Sequence, residues 1–350
     1  MWENYGLAIR KLLLIGRYSF AIMLERMVMT RAPLRITFVG GGTDLPFYYQ
    51  KRDYGAVVSS AINKYIYVTV NKKFDDKIRV SYSKTEIVDD VGSIEHPSVR
   101  EALRFLGIEK GIEIVSISDI PSKGTGLGSS SSFLVGLLHA LHSYKGEFVN
   151  SDELAREAVK IEREILREEG GKQDQYIAAH GGINLMKFMR DGSVDMTSAI
   201  SHDSNLKKIE DSLLLLYTNV ERSSTEIHKD QIVNSAQKME TYDEMKKLAE
   251  QAFRAICDGD VDSLGDMMDR NWRMKKSLSS KISDSWIDEK YEMSLKLGAK
   301  GGKLVGAGGG GFLLLVAEPG KHEMIATELG LRKVDFKFSQ SGSRVIFVGD

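Results

Sequence analysis

Three groups of residues have the types and spacing to do chemistry. The first is "PSKGTGLGSSSSF", Pro121 to Phe133, with glycines at 124, 126 and 128, four serines from Ser129, and then the apolar run "FLVGLLHAL". Glycine permits positive φ and the close approach of another group. A glycine turn opening a helix leaves the first N–H groups free and aligned with the helix dipole, which suits a phosphate. A flexible Gly/Ser linker shares the composition, but a linker does not run straight into a buried helix. The second group is "SDELAREAVKIEREILREEGGKQDQY", residues 151–176. Leu154, Ala158, Ile161 and Ile165 mark a helical stripe, and Glu162 falls roughly 60° from its centre, Glu164 roughly 100°. A carboxylate at the buried edge is costly when unpaired, and a metal ion relieves that cost. A solvated helix flank is the alternative. The helix is expected to stop at Gly170-Gly171 and to present Asp174 from a turn.

The third group is "RAPLRITFVGGGTDLPFYY", residues 31–49, a strand carrying Arg35 that runs into three glycines, Thr43 and Asp44. A carboxylate beside a glycine turn suits a small polyhydroxy molecule, because it accepts from hydroxyl donors while glycine leaves room. A tight turn closed by an Asx bond from Asp44 is the alternative. Near the C-terminus, "GGKLVGAGGGGF" has seven glycines among the eleven residues 301–311. It contains a formal G-x-G-x-x-G at Gly306, Gly308 and Gly311. A dinucleotide turn must open a helix, whereas "FLLLVAEP" continues as a strand. The glycines therefore read as backbone packing against another loop or a ligand.

The elements that must hold these groups alternate in type. "APLRITFV", "YIYVTVNKKF", "KIRVSYS" and "GIEIVSISDI" read as strands, the last two half-buried by their alternation. Helices are expected over 130–144 and 151–168, strands at "GGINLMKF" and "SLLLLYT", and charged helices from about 222 to 298. The end reads strand, glycine loop, strand, helix, strand. This is an α+β pattern with two halves meeting near 190–215. The chain has 350 residues, with 48 Lys plus Arg against 49 Asp plus Glu and a net charge of −1, so nothing favours nucleic acid or an anionic membrane as a partner. Its one cysteine, Cys257, excludes an internal disulfide and a cysteine metal site and suits a reducing, cytoplasmic compartment. His139 and His142 read as packing or surface. Residues 1–28 are too interrupted by Arg10, Lys11 and Arg17 for a spanning helix or a secretory signal. They read as a peripheral amphipathic extension or as sequence upstream of a core beginning near Met27 or Met29.

Together these stretches resemble the GHMP kinases (galacto-, homoserine, mevalonate and phosphomevalonate kinases). "PSKGTGLGSSSS" is similar to that family's P-x-x-x-G-L-G-S-S phosphate loop, "KLVGAGGGGF" to its C-terminal glycine motif and "APLRITFVGGGTD" to its N-terminal motif, over residues 31–348. Where sugar kinases of the family carry G-E-H-T-D, this chain has Gly41 and Gly42 in place of the acid and histidine, which counts against galactose. The spacing from Glu162 to Asp174 is that of the family's metal-binding glutamate and catalytic aspartate. "GGGTDLPFYY", "GGKQDQY" and the "SGSRV" tail most resemble the D-glycero-D-manno-heptose 7-phosphate kinases.

The resemblance implies an N-terminal α+β domain (29–200) with the nucleotide loop, after an extension (1–28), and a ferredoxin-like C-terminal domain (201–350). It implies an ATP- and Mg²⁺-dependent kinase acting on an anomeric hydroxyl, as monomer or homodimer, with sugar phosphate and ATP as its small-molecule partners. Asp174 and Arg35 would be catalytic. Gly124, Gly126, Leu127, Gly128, Ser129 and Ser130 would bind ATP phosphates, Ser130 and Glu162 the metal, and Gly42, Thr43, Asp44, Gly308 and Gly309 the substrate, with the other serines capping the helix. Other implied readings are a kinase for fucose, galactose or mevalonate, and a non-catalytic sensor of the same fold. A dinucleotide-dependent oxidoreductase lacks the helix it needs after Gly311.

Overall fold

A computed structural model describes residues 27–121, 124–220, 227, 230 and 238–349. The N-terminal stretch 1–26 and much of 221–237 lie outside the described residues, as does the question of the extension. Strand β1 (Val28–Val39) is followed by a short helix α1 (Pro46–Tyr49) and the 19-residue strand β2 (Tyr54–Lys72). Strands β3 (Ile78–Ser81) and β4 (Thr85–Val88), helix α2 (Pro97–Phe105) and strand β5 (Ile112–Ser118) come next. Helices α3 (Ser129–Lys145), α4 (Ser151–Val159) and α5 (Gln173–His180) then precede strands β6 (Ile183–Met189) and β7 (Val194–Ser198). β2 is long enough to pair twice on one side, with β6 through Tyr54–Ser60 and with β5 through Ile66–Lys72, while β1 pairs along its other edge. Helix α3 lies across β1 and β2, and its apolar residues fill the core between the sheet and α4–α5.

The second half adds α6 (Asp203–Ser212), β8 (Leu213–Tyr217), α7 (Met239–Asp258), α8 (Val261–Lys276) and α9 (Ser285–Lys296). Strands β9 (Gly301–Leu304) and β10 (Phe312–Val316), helix α10 (His322–Leu329) and strand β11 (Arg332–Lys333) follow. These four strands form a wholly antiparallel sheet in the order β11-β8-β10-β9, the ferredoxin-like order expected. The last strand, β12 (Arg344–Val348), returns to the first sheet and pairs with β1. Helix α7 packs on β1 and β2, and α8 on β9 and β1, so the second half presses its helices against the strand that carries Arg35.

One expected boundary moves. α4 continues as a π-helical segment over Lys160–Ile165, and the chain turns out of it at Arg167, whose φ is 55°. The N–H of Glu168 closes back on the carbonyl of Glu162 at 2.9 Å. Gly170-Gly171 therefore does not stop the helix. A Cβ on Gly171 would overlap the Asp44 carboxylate, so that glycine serves a contact between loops. Arg163 holds the intervening loop, donating to the carbonyls of Gly171 (3.0 Å) and Glu168 (3.2 Å). His139 and His142 are packing residues, His139 beside Ser343 and His142 between Glu147 and Glu157. Among the described residues no helix is long and apolar enough to cross a membrane.

Candidate active site

Arg35 and Asp174 meet across 139 residues of sequence. The Arg35 Nε donates to Asp174 Oδ1 at 2.8 Å and Nη2 to Oδ2 at 2.6 Å, a bidentate pair of the strong, planar kind. The Nη1 donates to the carbonyl of Gly126, and the backbone N–H of Arg35 donates to the carbonyl of Leu127 at 3.0 Å. The glycine turn is thus fastened to β1 through one arginine. The arginine side chain is 5% exposed and the aspartate side chain 21%, so solvent, or a substrate, reaches the pair from the carboxylate side.

Helix α3 begins after Gly128, which has a φ of 76° and is followed by a first turn that no side chain caps. The expected serine caps are absent because the serines are engaged elsewhere. Ser132 donates to the Pro33 carbonyl at 2.7 Å, Ser131 to Glu162 Oε2 at 2.8 Å, and Ser129 lies beside Thr125. Free amides with no side-chain acceptor are what a phosphate requires at a helix start.

The glycines around them serve different ends. A Cβ on Gly128 would come within 3.2 Å of both Asp174 Oδ2 and Arg35 Cγ, so this glycine makes room for the ion pair. Gly126 is different. Its Cβ would overlap the carbonyl oxygen of Val305, and a Cβ on Gly306 would lie 2.6 Å from the Gly126 Cα. A Cβ on Gly311 would lie 2.6 Å from the carbonyl carbon of Thr125. The two glycine loops are therefore packed backbone to backbone, and the space at Gly126 is taken by the other loop. Gly308 and Gly309, expected at the substrate, rest on Ile282: the N–H of Gly309 donates to its carbonyl at 2.8 Å. The structure does not bring them into the Arg35–Asp174 cluster.

Glu162 is 1% exposed. Its Oε2 accepts from Ser131 and from the amide of Gln175, its Oε1 has the Ser130 hydroxyl at 3.4 Å, and Arg163 stands 3.5 Å away. Burial pushes its carboxyl upward, partly offset by Arg163 and by the Ser131 and Gln175 bonds. Ser130 alone of the four serines is exposed. A buried carboxylate with one weakly used oxygen, next to an exposed hydroxyl at an uncapped helix start, fits a divalent cation shared with phosphate oxygens. Among the described residues no cluster of three or more His, Cys, Asp or Glu provides a metal cage.

At the Gly40–Asp44 turn, the Gly42 N–H donates to Asp44 Oδ1 at 2.9 Å, and Gln173 Nε2 donates to Oδ2 at 3.2 Å. The bond comes from an N–H two residues before Asp44 and not from one after it, so this is not the Asx turn of the alternative reading, although it does close the turn; the carboxylate is also tied to the residue preceding Asp174. Thr43 is not available to a substrate through its side chain: its hydroxyl donates to Gly40 and Ala56 carbonyls (2.9 and 2.8 Å) and accepts from the Ala56 N–H.

Comparison with known proteins decides what this arrangement belongs to. Residues 97–182 match the description "GHMP kinases N terminal domain" and residues 249–332 match "GHMP kinases C terminal". The chain is 30% identical to the D-glycero-alpha-D-manno-heptose 7-phosphate kinase of Campylobacter jejuni, over 91% of its own length and 98% of that enzyme. The chain belongs to the GHMP kinase family. It is an ATP-dependent small-molecule kinase of the sugar-kinase kind. It is also 26% identical to the bifunctional fucokinase/GDP-fucose pyrophosphorylase of Arabidopsis thaliana, over 85% of this chain but only 30% of that protein. The crystal structure of a D-glycero-D-manno-heptose 1-phosphate kinase from Bacteroides thetaiotaomicron superposes with a TM-score of 0.75 at 24% identity, covering 92% of this chain and all of that one, which shows the shared fold.

The kinase places further polar groups at the site. Gln173 accepts from Thr37 and Ser59 (2.7 and 3.0 Å) while donating to Asp44, and so fixes the carboxylate against β1 and β2. Lys275 of α8 is buried and donates to the Gly306 carbonyl. Burial lowers its ammonium to about 8, against the attraction of Asp44. Lys303 donates to the Thr37 carbonyl at 3.0 Å and is held well below the usual lysine range by burial and by Lys275. A signal for Lys275 exists in the sequence. Val261, Leu264, Met268 and Trp272 set a buried helical stripe on α8, and Lys275 falls on its next position.

Proposed function

We propose that this kinase transfers the γ-phosphoryl group of ATP to the anomeric hydroxyl of D-glycero-D-manno-heptose 7-phosphate, giving the 1,7-bisphosphate. The observation that carries the reading is the bidentate Arg35–Asp174 pair fastened to the turn before the uncapped α3. The substrate class is supported by the heptose 7-phosphate kinase that the chain resembles over nearly its whole length.

In this reading the backbone amides at the uncapped start of α3, from Gly128 to Ser129 and Ser130, receive the ATP phosphates, and Gly124, Gly126 and Leu127 shape the turn that leads into them. Ser130 and Glu162 would hold Mg²⁺, which when bound neutralises charge on the phosphate oxygens. Asp174 accepts the proton of the attacking hydroxyl while the hydroxyl oxygen bonds to the γ-phosphorus and the bridge to ADP breaks. Arg35 keeps Asp174 in one orientation and sets positive charge beside the transferred group. Asp44, held by Gly42 and Gln173, accepts from other sugar hydroxyls.

The test is phosphorylation of a sugar panel (heptose, galactose, L-fucose and mannose types, with and without a terminal phosphate, plus mevalonate), with the product's phosphorylated position assigned by ³¹P and ¹H NMR. The reading requires the highest kcat/KM for the heptose 7-phosphate and a new phosphate at C1. A phosphate placed on another carbon, or a preference for an unphosphorylated sugar, overturns it.

A further inference from the structure

Of the three glycines in the 40–42 turn, two have a local reason. Gly40 has a φ of 92° and its Cβ would overlap the Ala56 carbonyl, and Gly42 has a φ of 108° with the Tyr242 ring 3.1 Å from its Cβ position. Gly41 has neither constraint. It is buried, yet a Cβ there would meet nothing nearer than Thr37 Cγ2 at 3.8 Å, Gln173 Nε2 at 3.9 Å and Lys275 Nζ at 3.9 Å. A buried backbone position with room for a side chain and none present keeps a space open. The groups around that space are a methyl, an amide donor and an amine.

We propose that the space over Gly41 is a substrate subsite in which Lys275 donates to a neutral hydroxyl of the sugar that also donates to Asp44. The inference deepens the reading of Asp44 as a sugar-binding group and rests on it. Lys275 has one hydrogen-bond acceptor among the described residues, the Gly306 carbonyl, although an ammonium carries three donors. Buried donors without partners are costly, and a ligand oxygen relieves that cost. A hydroxyl serves both groups at once, accepting from the amine and donating to the carboxylate. A phosphate in the same place would face the Asp44 carboxylate and be repelled, which is why the subsite takes a hydroxyl. The charged groups that face Lys275 are Asp44 and Asp174, which favour its ammonium, and Arg35 and Lys303, which oppose it. By this contact the helix of the second half takes part in choosing the acceptor, and its hold on Gly306 ties that choice to the glycine loop.

Two substitutions test it, with the best acceptor from the panel and the same sugar differing only in its terminal phosphate. Acceptor KM is measured, or Kd by calorimetry where turnover is too slow. Lys275→Met should raise acceptor KM about 10-fold or more for both sugars, with KM for ATP within about 2-fold. Gly41→Ala, which the clearances allow to fold, should raise acceptor KM several-fold with an unchanged melting temperature, as roughly one methyl of ligand space is filled. In the wild type, acceptor kcat/KM should fall about 3- to 5-fold from about pH 8 to about pH 9.5 as the amine loses its proton, and Lys275→Met should lack that Lys275-dependent part of the fall. An unchanged acceptor KM in both folded variants overturns the proposal, as does a rise confined to the phosphorylated sugar. If the best acceptor is not a heptose phosphate, the substrate assignment fails while these measurements still decide the subsite.

Discussion

Replacing Glu162 by Gln separates the carboxylate's charge from its shape. The amide oxygen can accept from Ser131 and Gln175 as Oε2 now does, and the amide nitrogen can donate to the Ser130 hydroxyl on the side where Oε1 now lies. What is lost is the charge and its attraction to Arg163 at 3.5 Å; what is gained is relief from burying that charge, whose cost shows in the upward push on its carboxyl. These terms oppose each other, so without cation the variant should be as stable as the wild type or more stable by up to about 1 kcal/mol. With cation the two proteins diverge. At a free concentration about 100 times its dissociation constant, an ion that binds only the folded form adds about 2.7 kcal/mol, or about 5–10 °C of melting temperature at 2–4 °C per kcal/mol. Thermal melts with and without Mg²⁺, in the presence of a non-hydrolysable ATP analogue, should show that increment in the wild type and lose most of it in Glu162→Gln. The Mg²⁺ concentration for half-maximal rate should rise about 10-fold or more in the variant. Glu164→Gln, on the exposed side of the same segment, should match the wild type in both assays. Equal Mg²⁺ dependence in the two variants would refute the placement of the metal.

Gly126→Ala should lower stability by about 2–4 kcal/mol in urea titration, because the residue has a φ of 72° and an added Cβ meets the Val305 carbonyl; an unchanged midpoint would contradict the loop-on-loop packing. Ser130→Ala should keep calorimetric affinity for the ATP analogue and lose most turnover, and normal turnover would remove Ser130 from the metal site. Because the Lys275 amine is lowered from 10.5 to about 8 in the folded protein, the unfolded chain binds more protons between those values. Lys275 therefore adds a stability increment that grows as pH rises from about 8 to 10.5, on the order of 3 kcal/mol in full. The stability difference between wild type and Lys275→Met should shift in the wild type's favour over that range, and a constant difference would show that the amine is not desolvated.

Much of the site was legible in the sequence where chemistry and local geometry coincide. A strand ending in glycines, a glycine turn before an apolar helix, and a glutamate at the edge of a helical stripe each keep their meaning in the fold. Glu162 is buried, as its angle to Leu154 and Ile161 implied, and Arg35 and Asp174 meet. Contacts between distant segments were not legible. Gly126 reads as room for a phosphate because nothing near it in the chain shows Val305 above it, and Gly171 reads as a helix stop because Asp44 is far away in sequence. The serines read as caps from composition alone, whereas Pro33 and Glu162 take two of their hydroxyls. Arg167 ends the helix in a conformation that sequence rules reserve for glycine, stabilised by the bond from Glu168 to Glu162. Lys275 is hidden among the charges of α8, although its place on the buried stripe sets it apart from Lys276.

In the proposed reaction Asp174, held by Arg35, accepts the substrate proton during phosphoryl transfer. The turnover of Asp174→Asn checks this, set beside its calorimetric affinity for acceptor and ATP analogue and a melt showing that it is folded. The kcat should be lower by roughly 10²-fold or more, with both affinities within a few-fold of wild type and a modest loss of stability as Arg35 keeps only part of its partner. Near-normal kcat in the folded variant would contradict it.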